Sequence, residues 1–495
     1  MKQSKYFAMG GGLDLKTPLL QSDPGRLLIA KNVEQKITGG YRRVDGYIKY
    51  DTNIVPGEGS ILGVWFYDGK VYAFRNAVGG ATAAMHESTG TGWTAKKTGL
   101  SPGGRYEFVN YNFGTSKMMY GVSGTHKAFQ WDGTTWTDIT VGWATDTPQH
   151  IIAHKNYLFL SYDQSVVNSD LGVPTAYTGV GGANEIRIED GVTGFMQMAG
   201  GVLGIFGRNS TNLLSGSSAT DFNMSNLSEH GNRIGAIEWS LQQLGARVRY
   251  FDDRGVTELG ASDRFGDFQD AMISVNINDW LLPKKNLVNA SCIVRNKSQY
   301  RLFFNDSTGM SFTFQGDTLA GITTFEFPLE VKCVVSTEDS NGDEAIYWGS
   351  TDGYIYEMDT ATSFDGANIV TLMYTQYTFI DSPRKRKRFR RAIFEMPAVG
   401  VATGSLFVKP DFEVEQAGIV PQIAYKSIVT RAGGGALGSG ALGSLVLGST
   451  LITEGQLDIP GHGAYIAMIF SSDDQNIGWE IDGITYDYLE GRGRR

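Results

Sequence analysis

Seven of the eight residues in Arg384-Lys385-Arg386-Lys387-Arg388-Phe389-Arg390-Arg391 are cationic, the densest concentration of charge in the chain. The chain as a whole carries a formal −9, so everything outside that run is seven charges more negative still. A cationic run of this kind suits nucleic-acid phosphates or an acidic partner subunit. The alternative is a solvated loop leading into a strand, with Phe389 the hint that one face packs down. Arg384, Lys385, Arg386, Lys387, Arg388, Arg390 and Arg391 are therefore candidate partner contacts.

Three further patterns imitate known chemistry. Gly433-Gly434-Gly435-Ala436-Leu437-Gly438 has the G-x-G-x-x-G spacing that cradles a pyrophosphate, and Gly438-Ser439-Gly440-Ala441-Leu442-Gly443 repeats it. A dinucleotide site needs a strand before this motif and a helix after it, and no helical pattern follows here. The segment 433–449 is instead a low-complexity repeat of five residues, Gly-Ala-Leu-Gly-Ser twice and then Leu-Val-Leu-Gly-Ser. Residues this small cannot fill a core, so a projecting loop is expected, marked by Gly435, Leu437, Gly440, Leu442 and Leu447. His150 and His154 are four apart, as in a zinc helix, but the glutamate of H-E-x-x-H is missing, and two histidines on one side of a strand are the simpler reading. Asp339-Ser340-Asn341-Gly342-Asp343-Glu344 crowds oxygen ligands yet lacks the spacing of a calcium loop, which makes it a polar turn. There is no G-x-S-x-G elbow and no Walker A pattern. Nothing selects a catalytic pair among the 52 acids. No enzyme activity, cofactor or metal is expected.

Composition says what must position these residues. Glycine supplies 64 of 495 residues and proline only 13, while 26 Phe, 23 Tyr and 9 Trp make the chain aromatic. A hydrophobic share of 41% excludes disorder, and glycine without a G-X-Y period excludes collagen. The net −9 argues against a dedicated nucleic-acid binder, although it suits a surface that DNA must pass without sticking. Cys292 and Cys333 alone cannot build a disulfide framework or a Cys₄ zinc site, which points to synthesis in a reducing compartment. The N-terminus lacks the apolar stretch of a signal peptide, and no run approaches the ~18 apolar residues that cross a bilayer. A soluble chain made in the cytoplasm is expected.

Alternating aromatic segments broken by turn residues recur along the chain. Residues 61–74 read as a hairpin turning at Asp68-Gly69. Similar units turn at Asp132-Gly133, Asp163-Gln164, 252–255, 305–309 and Asp352-Gly353. The stretch from 51 to 359 is about 310 residues, enough for six or seven blades at ~40–50 residues each. The expected fold is all-β: an irregular six- or seven-bladed β-propeller over 51–362, with a pair of β-sandwiches as the competing arrangement. Residues 1–50 would pack on or close the propeller, and 363–495 would form a C-terminal β-sandwich-like domain bearing the loop 433–449. Short helices are expected at 27–33, 238–244 and 272–282.

At the N-terminus the pattern becomes specific. It runs through Gly11-Gly12-Leu13-Asp14, Pro18, Pro24-Gly25 and Ala30-Lys31-Asn32 to Gly39-Gly40-Tyr41-Arg42-Arg43-Val44-Asp45-Gly46-Tyr47. With 248–260, 385–394 and 481–490, this resembles the nozzle (tail tubular, distal hub) proteins of short-tailed bacteriophages. The resemblance implies a structural virion protein: a hexameric ring below the adaptor that extends the DNA channel and gates it during ejection. Its partners would be further copies of itself, adaptor and tail fibre or tip proteins, and genomic DNA passing without sequence-specific binding. The chain would not insert into a membrane. The competing functions are a propeller lectin or receptor-binding module, with Trp65, Trp93, Trp131, Trp136 and Trp348 as sugar platforms, and a glycan-degrading enzyme.

Overall fold

The computed structural model describes residues 2–18, 21–114, 116–227, 235–261, 268–396, 402–410, 426–430, 454–475 and 478–490. Among these the only α-helix is the single turn Asn278–Leu281. The rest of the regular structure is strand, with a few 3₁₀ turns.

Seven antiparallel four-stranded blades follow one another. Blade 1 is Glu58–Tyr67, Lys70–Asn76, Ala83–Ser88 and Trp93–Leu100. Blade 2 is Glu107–Tyr111, Met118–Val122, Phe129–Trp131 and Trp136–Asp138. Blade 3 is Ile151–His154, Tyr157–Tyr162, Ser165–Asn168 and Asn184–Arg187. Blade 4 is Val192–Met198, Val202–Gly207, Thr211–Ser215 and Asn223–Asn226. Blade 5 is Gln242–Leu244, Arg247–Phe251, Val256–Ala261 and Phe268–Met272. Blade 6 is Val288–Val294, Gln299–Phe304, Thr308–Gln315 and Thr318–Glu326. Blade 7 is Val331–Glu338, Glu344–Ser350 and Ile355–Ala361, and it takes its outer strand from Gly46–Lys49 near the N-terminus. Each blade's innermost strand packs on the next, and that of blade 7 packs back on that of blade 1. The ring is closed, and it is a β-propeller.

Hydrophobic clusters lie between blades, which is why alternate residues on both faces of these strands are apolar. Phe74, Phe108 and Trp131 fill the space between blades 1 and 2, Tyr120 and Leu160 that between 2 and 3, and Trp348 with Phe303 that between 6 and 7. Blade 6 does not end at Thr318–Glu326. Its sheet continues through Leu27–Lys31 into Ile369–Thr375, Tyr465–Asp474, Ala402–Pro410 and Lys426–Thr430. A second sheet, ordered Lys2–Ala8, Gly483–Glu490, Lys387–Glu395 and Glu454–Gly463, packs on this extension as a sandwich. One buried cluster runs from Tyr300 and Phe312 of blade 6 to Phe389, Phe470 and Tyr486 of the sandwich.

The N-terminal segment is the joint. Tyr41 is fully buried; its hydroxyl accepts the Gly12 N–H at 2.9 Å and donates to the Gly25 carbonyl at 3.0 Å. Arg43 pairs with Asp474 at 2.6 Å and donates to the Thr362 carbonyl at 2.9 Å. Tyr47 packs among Phe327, Trp348, Tyr356 and Phe364 with ring centres 5.0–5.3 Å apart. Below them Glu34, without solvent exposure, meets Arg42, Lys297 and Arg301 at 2.6, 2.9 and 3.2 Å.

The helix expectations fail. Residues 27–33 are the strand Leu27–Lys31 running on to Val33–Gln35, because Leu27–Lys31 is paired on both sides and tertiary hydrogen bonding overrides local spacing. Residues 238–244 make a turn and then the strand Gln242–Leu244, since Trp239 adopts φ 65°, outside any right-handed helix. In 272–282 only the 3₁₀ turn Val275–Ile277 and Asn278–Leu281 are helical before the chain tightens into Leu282–Leu287 at Pro283.

Candidate axial site

The seven innermost strands and the residues leading into them line a cavity of about 570 Å³ on the propeller axis, open to solvent. Apolar walls come from Trp65, Phe108, Phe195, Leu241 and Ile293, and polar groups from Arg105, Glu107, His150, Gln242 and Ser291.

Arg105 precedes the inner strand of blade 2, yet its Nη1 donates to the Asn289 carbonyl of blade 6. Those blades are not neighbours, so the side chain crosses the axis. Its guanidinium carbon stands 4.0 Å from the centre of the Trp239 ring, and its buried Nε has no hydrogen-bond partner among the described residues. Burial without a close carboxylate pulls Arg105 down to about 10, with Cys333, Glu238 and Glu107 opposing that fall from a distance. His150 packs against the same indole, ring centres 5.3 Å apart. Its Nδ1 is 2.6 Å from Glu107 Oε2, and its Nε2 is 3.5 Å from Glu238 Oε1. Burial is the strongest influence on His150 and disfavours its charge, but the Glu107 and Glu238 carboxylates together outweigh it against Arg105, and the net shift is upward.

Trp239 is held in a left-handed conformation, φ 65°, that a bulky side chain adopts only under constraint. Ser291 Oγ donates to the Trp239 carbonyl at 2.7 Å. Ser240 Oγ donates to the Ile237 carbonyl at 2.6 Å and accepts the Phe251 N–H at 3.0 Å, while the Tyr300 hydroxyl donates to the Ser240 carbonyl at 2.6 Å. The corner is thus fastened to blades 5 and 6, and Arg105 and His150 hold its ring.

A Glu–His pair at 2.6 Å could move a proton. The thiols in the wall are poor nucleophiles, because burial pushes Cys292 up to about 12 and Cys333 up to about 11. What the arrangement does without further groups is tie blades 2, 3, 5 and 6 together across the axis. None of Arg105, Glu107, Glu238, Trp239 or Ser291 belongs to a sequence motif. Arg105, Glu107, Glu238 and Trp239 share one signal, a position at or before the start of an innermost strand, whereas Ser291 lies in the middle of one.

The basic run lies elsewhere, on the sandwich. Arg384, Lys385 and Arg386 are exposed ahead of the strand Lys387–Glu395, and Arg388 and Arg390 are exposed on it. Arg391 is half-buried, 3.5 Å from Asp458. Lys385 is 3.3 Å from Glu490. Lys387 departs from the expectation of a contact residue: it is fully buried and donates to the Ser382 carbonyl at 2.5 Å, because its side chain points to the same inner face as Phe389. Desolvation lowers its affinity for a proton. Lys2, Arg388, Arg390, Arg391, Asp458 and Asp487 line a surface groove of about 360 Å³. None of the seven basic residues lines the axial cavity. Gly435, Leu437, Gly440, Leu442 and Leu447 lie outside the described residues.

His154 is buried on blade 3, where desolvation pulls it down to about 4. Asp339 Oδ1 accepts the N–H groups of Asn341 and Asp343, closing a polar turn in blade 7. Among the described residues no cluster of His, Cys, Asp and Glu has metal-binding geometry. No helix among them is long and apolar enough to cross a membrane.

No protein-family model and no curated protein matches the chain. Solved structures similar to it include a streptogramin B lyase (11% identity, 63% of this chain and 96% of that one, TM-score 0.41). Virginiamycin B lyase from Staphylococcus aureus (10%, 62% and 96%, 0.42) and BBS1N in complex with ARL6DN (9%, 64% and 97%, 0.42) are similar to the same degree. Likeness at this level transfers no activity; the closed ring of seven blades establishes the propeller by itself.

Proposed function

We propose that this chain is a structural, non-catalytic subunit of a short-tailed phage virion, the protomer of a hexameric tail nozzle that extends the DNA channel and gates it during ejection. The observation that carries this reading is where the N-terminal residues of the resemblance lie. Gly12, Gly25, Tyr41, Arg43 and Tyr47 are spent on the joint between propeller and sandwich, as befits a part whose function is to hold shape. Six copies would carry six times the net charge of −9, and a net-negative lumen repels DNA phosphates so that the genome slides. Side chains meet on the propeller axis, so DNA is assigned to the space enclosed by the ring of copies. The exposed cations of 384–391 are assigned to a neighbouring copy or to an adaptor, and fibre or tip proteins to the distal end. The chain would be made in the host cytoplasm and end in the virion tail.

The lectin reading loses its platforms at Trp131 and Trp348, which are buried in blade interfaces. Trp136 stacks on Phe129 with ring centres 3.8 Å apart. Electron microscopy of native particles captured through this chain tests the proposal. A six-fold ring at the tip of a short tail supports it; isolated propellers without an attached assembly sink it and make a glycan-binding screen the next step.

A further inference from the structure

We propose that the axial cavity is a binding site for a small organic monocarboxylate, its carboxylate paired with Arg105 and its apolar body against the aromatic wall of blades 1, 2 and 4. The inference stands independently of the nozzle reading.

The charges on the cavity wall leave one group without a counterpart. Of the lining residues, Arg105, Glu107, His150 and Arg295 are the acids and bases. Glu107 is committed to His150, 2.6 Å from Nδ1. Arg295 meets Glu338 at 2.6 Å and Glu344 at 3.5 Å. Arg105 has no carboxylate within ion-pair distance among the described residues, and its hydrogen bond goes to the uncharged Asn289 carbonyl. A guanidinium drawn out of water loses hydration that an acid must replace. Arg105 is still protonated at neutral pH, since burial pulls it down only to about 10. The cavity is thus a cationic place in a chain of net −9, and its open mouth lets an anion enter.

The walls select the rest of the ligand. Trp65 stacks on Phe108 with ring centres 5.3 Å apart, and Phe195, Leu241 and Ile293 complete an apolar side. The volume of about 570 Å³ lies within the ~300–1,000 Å³ of small-molecule sites. One unpaired guanidinium matches a single negative charge. A phosphate monoester would bring a second charge into a cavity whose acid is Glu107 and whose other cations already have partners. Trp239, with its ring centre 4.0 Å from the guanidinium carbon, holds Arg105 in place before any ligand arrives, so little ordering is needed on binding. Its backbone strain at φ 65° is of the kind that collects at ligand sites.

Calorimetric titration of the full chain with indole-3-acetate and benzoate, each beside its neutral amide, tests the site. Each acid should saturate a single site and bind about tenfold more tightly than its amide, the difference that one charge-assisted hydrogen bond makes. In Arg105→Met, acid and amide should bind alike. Phenyl phosphate should bind no more tightly than benzoate. Arg105 also ties blade 2 to blade 6, so Gln243→Trp provides a second variant. Gln243 is exposed on the cavity wall, and a larger ring there should leave the core intact while weakening the acids about tenfold by filling the space. Absence of saturable binding by either acid overturns the proposal, as does equal affinity of acid and amide in wild type. So does an acid preference that survives Arg105→Met, wild-type affinity in Gln243→Trp, or tighter binding of phenyl phosphate.

Discussion

Replacing Glu34 by glutamine should cost about 3 kcal/mol of stability. Glu34 is completely buried, with Arg42 Nε at 2.6 Å, Lys297 Nζ at 2.9 Å and Arg301 Nη2 at 3.2 Å. Asp45 and Asp359 complete the network, the former 2.7 Å from Lys297, the latter 3.0 Å from Lys297 and 2.8 Å from Arg301. Three cations thus face three acids, and the substitution leaves a surplus positive charge in the joint. Removing one partner of a buried pair costs about 3–5 kcal/mol. The lower end is expected because Asp359 still compensates Arg301 and Lys297, and the Arg42 side chain is 30% exposed. Urea unfolding provides the assay: the midpoint should fall while the slope is unchanged. The pH dependence has a definite sign. Burial is the strongest influence on Glu34 and favours its neutral form, but Lys297, Arg42 and Arg301 together hold its carboxyl below the ordinary value. Its contribution is therefore present above the ordinary value of about 4.3 and lost as pH falls through the folded value, so variant and wild type should converge in acid. A loss below about 1 kcal/mol at neutral pH, or a difference that persists in acid, refutes the reasoning.

Three further outcomes follow from the same packing. Gly46→Ala should lower thermal stability by more than about 2 kcal/mol, since the new Cβ would stand 2.0 Å from the Ser363 carbonyl oxygen and force the closing strand of blade 7 to move. An unchanged melting temperature would mean that the outer strand of blade 7 takes the added methyl without being displaced. Trp348→Ala should cost about 3–5 kcal/mol in denaturant titration, because the indole is fully buried against Tyr47 and Tyr356. Changing Arg384, Arg386, Arg388 and Arg390 together to glutamine should leave stability within about 1 kcal/mol while weakening ring assembly measured by light scattering. A large loss in melting would place these exposed side chains in a structural network instead.

Local features were legible in the residues. Asp68 and Gly69 both take positive φ, 48° and 73°, as the tight turn of a two-residue hairpin demands, and aspartate-glycine supplies that at little cost. The hairpins at 132–133 and 163–164 turn where their residues indicate. Phe389 announced that the basic run has an inner face, but alternation along the strand was needed to show that Lys387 shares it. Residues 27–33 were misread because their apolar spacing suits a helix, whereas the strands on either side supply the hydrogen bonds that settle the matter.

The sequence alone determined the all-β class, the aromatic blades and the turns between them, since these depend on preferences acting over a few neighbouring residues. Tertiary structure alone decided the number of blades, the strand from Gly46–Lys49 that closes the last one, and the buried charges around Glu34. It also decided the axial site, where Arg105 reaches the backbone of a residue 184 positions away. Such contacts exist only once the ring has closed, because their partners share no local pattern and meet only when seven blades pack around one axis.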